Sequence, residues 1–177
     1  MSCDSLYIVR ILNILIFAVF SFVLLFAPVA FATDASPSAM EVPLEKINPD
    51  DGFAYLTKRL EEKVKLFLFS LSANSKENFY KELANRRLAE LKYVIENDKK
   101  GNFEVATIRY SSTVGEWTEF ILDEKLDESK GPAVEVLTKH LPVVEKLMTK
   151  YDGTTAEWRF VKQDFDYLNI YISKLQN

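Results

Sequence analysis

The sequence predicts an all-α protein: a compact bundle of about five amphipathic helices behind an N-terminal signal or anchor segment. Five successive segments repeat apolar residues at steps of three and four, the period that lines one face of a helix. The chain of 177 residues holds only 5 Gly and 6 Pro, fewer turn formers than an all-β sandwich or barrel needs. No segment alternates apolar and polar residues well enough to build a sheet.

The first segment is an address rather than part of the fold. Residues 11–27 read ILNILIFAVFSFVLLFA, with Asn13 and Ser21 as the polar interruptions and Arg10 just ahead. Ala30, Phe31 and Ala32 then form an A-x-A pattern. A basic flank, an apolar run and a small-residue site are the layout of a secretory signal peptide, with cleavage expected between Ala32 and Thr33. An uncleaved anchor is the alternative, since the run is only slightly short of the roughly 20 apolar residues that span a bilayer. Either way residues from Thr33 onward are expected outside the cytoplasm, secreted or anchored through residues 11–32. The single cysteine, Cys3, lies upstream of the run, so a processed chain has no thiol chemistry and lipid attachment at a downstream cysteine is excluded. Residues 33–46 carry Ala, Ser, Pro and Thr without periodicity and read as a flexible spacer. Residues 47–177 are the expected helical domain.

The first bundle helix should begin near Asp50, with Asn48-Pro49-Asp50-Asp51 as cap chemistry. Phe53, Leu56, Leu60, Val64, Phe67, Leu68 and Leu71 form its stripe. Its apolar end, LFLFSL, should be the most deeply covered part, with Lys58, Arg59, Glu61, Glu62 and Lys63 on the other side. The second helix is expected to open on an Asn74–Glu77 capping box and to end at Asp98-Lys99-Lys100-Gly101, with Gly as C-cap. Phe79, Leu83, Ala84, Leu88, Leu91, Val94 and Ile95 make its stripe. Asn102 could cap the third, which carries Phe103, Ala106, Tyr110, Val114, Trp117 and Ile121. Its β-branched residues also allow a strand over 102–110, but a lone strand would have no partner. Gly115 should weaken this helix by about 1 kcal/mol relative to Ala.

Residues 123–131 read as a charged loop, and Pro132 suits the first turn of the fourth helix. Val134, Leu137, Leu141, Val144, Leu147, Met148 and Tyr151 form its stripe, with a kink or short break expected at Pro142. Asp152-Gly153 stops it. A Thr154–Glu157 capping box then starts the fifth helix, with Trp158, Val161, Phe165, Leu168, Ile172 and Leu175 inward.

Two stretches carry a family resemblance. NPDDGFAYLTKRLEEKVKL over residues 48–66 contains Tyr-x-x-Lys-Arg-x-x-Glu-Lys-Val, and YKELANRRLAEL over residues 80–91 contains Leu-Ala-x-x-Arg-Leu-Ala-Glu. Together they resemble a bacterial domain of unknown function, DUF5667, best over residues 47–99 and extending to about 150, where Lys139-His140-Leu141 also fits. The chain departs from the family at Asp51-Gly52-Phe53, where Ser-Pro is the usual approach to the first helix. The resemblance implies an exported helical domain and no established activity.

The chemistry-bearing residues are few. Net charge is −4, without the basic footprint of a nucleic-acid binder. His140 is the only histidine. Without a partner His or Cys it cannot build a usual zinc, haem or copper site, and no nucleophile-elbow motif accompanies it. It reads as a half-buried structural residue. Glu61-Glu62, Glu116–Glu119 and Asp164–Asp166 read as solvated faces, lacking the Glu-x-x-His pairs of di-iron bundles and calcium-loop spacing. Lys58-Arg59, Arg86-Arg87 and Lys99-Lys100 read as salt-bridging surface, able to touch anionic lipid or cell-wall polymer. Tyr55, Phe79, Trp117, Trp158 and Phe165 sit at core spacing. No catalytic, cofactor-binding or metal residue is therefore assigned.

The expected function is a non-catalytic interaction or scaffold module of the cell envelope, with an unknown envelope protein as partner, a possible membrane tether and no nucleic acid. The alternative is an envelope small-ligand or metal-ion sensor. A hydrolase using Glu116, Glu119, Asp164 and Asp166 and a chaperone-like clamp stand behind these.

Overall fold

The computed structural model describes residues 48–69 and 72–177. The signal or anchor segment, the spacer and Leu71 lie outside the described residues. The described part is one unit of five helices, with no strand among the described residues: α1 (Phe53–Phe69), α2 (Ala73–Glu96), α3 (Lys100–Asp123), α4 (Asp127–Met148) and α5 (Ala156–Gln176). The all-α bundle expected from the periodicity is the fold observed.

Residues 97–99 are the whole connection between α2 and α3, short enough to make the two antiparallel neighbours. Helix α4 pairs with α5 across residues 149–155, and α3 packs on α5 to join the two hairpins, whereas α3 and α4, linked by residues 124–126, touch only slightly. The core between them contains Leu88, Leu91, Tyr110, Trp117, Leu137 and Leu168, all fully buried. Trp117 buries its polar edge by donating from Nε1 to Glu77 Oε1 at 3.1 Å. Helix α1 lies outside this four-helix core, along α2.

Several boundaries differ from the expectation for local reasons. Ser72, not Asn74, caps α2, accepting from the amide of Ser75, while Glu77 is held by Trp117. Asp98 makes the left-handed turn after α2, at φ 50°, so Gly101 falls in the first turn of α3. Asp is among the few non-glycine residues that tolerate that conformation. The region 102–110 is helical throughout. The expected charged loop shrinks to residues 124–126, because Asp127 and Glu128 favour the positive end of a helix and start α4 early. Pro132 consequently sits in the second turn rather than the first. Helix α4 also runs through Pro142 without a break, with that ring on the exposed side. Thr155, one residue later than expected, caps α5 by accepting from Trp158 N at 3.2 Å. Thr154 instead donates to Asp152.

Candidate functional site

Helix α1 carries two stripes. Tyr55, Lys58, Glu62, Leu66 and Phe69 recur at steps of three and four on one face; Phe53, Leu56, Leu60, Val64 and Phe67 do so on the opposite face. The polar stripe is the one that meets the bundle. Tyr55, Lys58 and Glu62 are buried, while Phe53, Leu56, Leu60, Val64, Phe67 and Leu68 are 48–83% exposed. This overturns the expected inward placement of the apolar stripe and, for Phe67 and Leu68, the expected burial of its LFLFSL end.

The reason lies on α2. Arg87 and Glu90 are each 1% exposed and face α1, and a buried charge without a partner costs several kcal/mol. Rotating α1 by half a turn would set leucines against both. In the observed orientation Glu90 accepts from Tyr55 Oη at 3.0 Å, from Lys58 Nζ at 2.8 Å and from Arg87 Nη1 at 2.7 Å to each carboxylate oxygen. Glu62 accepts from Arg87 and, at 3.0 Å, from Arg59. Arg109 of α3 donates to Tyr55 Oη at 2.7 Å and lies over its ring. Burial pushes the Glu62 carboxyl up to about 7, against the pull of Arg59. Burial, aided by Glu90, also raises the Tyr55 hydroxyl, which stays protonated as a donor. At the C-terminal end of α1 the ring of Phe69 packs on Phe79 of α2, centroids 5.5 Å apart.

The two stretches that carried the family resemblance thus meet in one network. Lys58, Glu62 and Arg87, expected on solvated surfaces, are buried in it, whereas Glu61 and Lys63 are exposed. The readable signal was on α2, where Arg87 stands four residues after Leu83 and four before Leu91, inside the apolar stripe.

His140 is fully buried rather than half-buried. Its Nε2 lies 2.9 Å from Asn85 Oδ1, an acceptor, so that nitrogen carries the proton; Nδ1, 3.0 Å from Tyr110 Oη, accepts. Burial holds its pKa down at about 4, so the ring is neutral and structural.

A cleft of about 300 Å³ opens between α3 and α5. Asp164, expected on a solvated face, is 3% exposed and lines it, whereas its neighbour Asp166 is exposed and pairs with Lys162. Burial pushes the Asp164 carboxyl up to about 8, with the Ser111 hydroxyl opposing. Glu116 and Glu119 are exposed, as expected, and Glu119 pairs with Lys174. Among the described residues no group of three His, Cys, Asp or Glu side chains could hold a metal ion. No described helix is long and apolar enough to cross a membrane.

Fold and surface together define a four-helix core bearing an inverted amphipathic helix. The family model described as a domain of unknown function (DUF5667) matches residues 46–147. That is more than half of the chain, and the chain belongs to this family. No curated protein and no solved structure matches it.

Proposed function

We propose that this protein is a non-catalytic interaction module of the cell envelope and that the outward face of α1 is its contact surface. The observation that carries the reading is the inversion of α1: its charged stripe is consumed by the bundle, and its apolar stripe is turned to solvent. The stripe offers on the order of several hundred Å² of apolar surface, as much as or more than the largest patch on an ordinary monomer, and such patches mark interaction sites.

The occupant best supported is the apolar surface of a membrane. The 17-residue apolar run 11–27 precedes α1 in the sequence by only 25 residues. An anchored protein would therefore hold α1 close to the bilayer. Phe and Leu on one face with Lys63 and Lys65 outside the stripe is the composition of a helix lying in the interface plane. Seated that way, the domain would be tethered twice and would present α3 to α5 to an envelope protein.

The test is a photo-crosslinking side chain at Leu60 of the full-length chain, activated in cells. Adducts to lipid, lost when Leu56 and Val64 are changed to Glu, are expected. A predominant adduct to one protein would replace the membrane by a protein partner, a dimer adduct would make the face a self-association surface, and no adduct above an exposed control site would refute the contact-surface reading.

A further inference from the structure

The cleft between α3 and α5 has no part in the α1 reading, and its chemistry is unusual for a groove between two packed helices. Asp164 projects from the core-facing stripe of α5, three residues after Val161 and four before Leu168, both buried. Its Oδ2 atom is buried and has no hydrogen-bond partner. Buried carboxylate oxygens are nearly always satisfied, so an orphan on a residue that lines a solvent-reaching cleft calls for a ligand.

The remaining lining narrows the class of that ligand. No Lys or Arg lines the cleft, so nothing in it neutralises Asp164. Two hydroxyls of α3 donate to their own helix: Thr107 to the Glu104 carbonyl at 2.8 Å, and Ser111 to those of Thr107 and Ile108 at 3.1 and 3.3 Å. Their oxygens retain lone pairs that can accept. Tyr167 and Tyr171 stand as a stacked pair along one side, centroids 6.0 Å apart and planes at 22°. Tyr171 reaches this position because Gly115 has no side chain; a Cβ there would lie 2.7 Å from its hydroxyl oxygen. A buried acid with no Lys or Arg beside it, hydroxyl oxygens able to accept and aromatic walls are the complement of a cation with several N–H groups. The volume is at the small end of ligand sites.

We propose that this cleft binds a small organic cation, a primary ammonium group on a slender aliphatic or aromatic body, with Asp164 as its counter-ion and the Tyr167–Tyr171 pair against its body. The acidic form that burial imposes on the empty site then gives way to the carboxylate as the ammonium arrives. The site stands whether or not α1 meets a membrane.

The experiment uses the full-length chain in a non-ionic detergent, titrated calorimetrically with butylamine and phenethylamine, and with butanol and phenethyl alcohol as uncharged counterparts. The amines are expected to bind, the alcohols at least tenfold more weakly. Asp164→Asn, close in shape and neutral, should weaken the amines at least tenfold while keeping the near-ultraviolet circular dichroism of the parent. Tyr167→Ala, at the rim, should weaken phenethylamine more than butylamine. Failure of both amines to bind, equal binding of amines and alcohols, or undiminished amine binding by a folded Asp164→Asn variant would each overturn the proposal. Should Asp164→Asn not fold, undiminished binding of phenethylamine by Tyr167→Ala would do so.

Discussion

Replacing Arg87 by methionine tests whether the ionic network is what holds α1 in its inverted orientation. The substitution keeps much of the volume and removes both hydrogen bonds to Glu90 and the contact with Glu62. Removing one member of a buried pair costs about 3–5 kcal/mol, because the partner charge is left behind. Two features place this case at the lower end. Glu90 keeps Lys58 and Tyr55, and Glu62, already pushed up to about 7, can take up a proton. The expected loss is therefore about 3 kcal/mol at pH 7.5 and less at pH 5.5, where Glu62 protonates readily. That loss should fall on α1, which packs along α2 outside the four-helix core. Hydrogen exchange read by mass spectrometry should show protection of residues 56–69 falling about a hundredfold, since about 1.4 kcal/mol is tenfold, while residues 106–121 of α3 change little. Unchanged protection in α1 would refute the claim that the network fixes it. An equal loss in α1 and α3 would refute the claim that α1 detaches separately.

Four further outcomes follow from the same geometry. Leu56→Glu with Leu60→Glu should change the denaturant midpoint by no more than about 0.5 kcal/mol in free energy, as surface changes do, where an inward stripe would have cost several. Asp164, raised from 3.8 to about 8, contributes stability fully present below pH 3.8 and lost as pH rises through 8; His140, lowered from 6.5 to about 4, contributes stability fully present above 6.5 and lost as pH falls through 4. The two oppose between pH 4 and 6.5, and Glu62, raised from 4.5 to about 7, adds its own loss up to pH 7, so melting scans should show a decline of about 2–3 kcal/mol from pH 6.5 to 8, of which Asp164→Asn removes about 2 kcal/mol. Gly115→Ala should destabilise by about 1 kcal/mol, displacing Tyr171 against a gain in helix propensity, and the sign should reverse in a Tyr171→Leu background, as chemical denaturation would show. Tyr110→Phe should cost about 1–3 kcal/mol in the same assay by leaving His140 Nδ1 buried without a donor.

The five helices were legible because a three-four stripe survives whatever it packs against. The stripes of α2 to α5 faced inward as read, since those helices cover one another. The stripe of α1 did not. Periodicity records which face is apolar but not where the rest of the bundle lies, and an apolar face can belong to a contact outside the domain. The buried charges escape a sequence reading for a related reason: Arg87, Glu62 and Asp164 read as solvated because charged residues usually are. Arg87 and Asp164 nevertheless stand on the apolar stripes of α2 and α5, and a charge at a core position is the visible mark of a buried network or an unfilled site. Capping residues shifted by one or two positions because Ser72 and Thr155 compete with equally suitable neighbours. The cleft itself was not legible, for it depends on how α3 and α5 lie against each other and on the space that Gly115 leaves.

The Asn85–His140–Tyr110 chain joins three helices, α2, α4 and α3, through one neutral ring. Apolar stripes alone tolerate a slide of one helical turn, because leucine-like side chains repeat along each of them. A slide of about 5.4 Å would break both hydrogen bonds and strand three polar groups in the core. The ring therefore selects one axial register for the bundle, in the way a single buried polar residue sets alignment in a coiled coil. On this account an all-apolar replacement of the three residues would give a bundle at least as stable but less unique. Broadened methyl resonances in a protein with an undiminished melting temperature would be its signature.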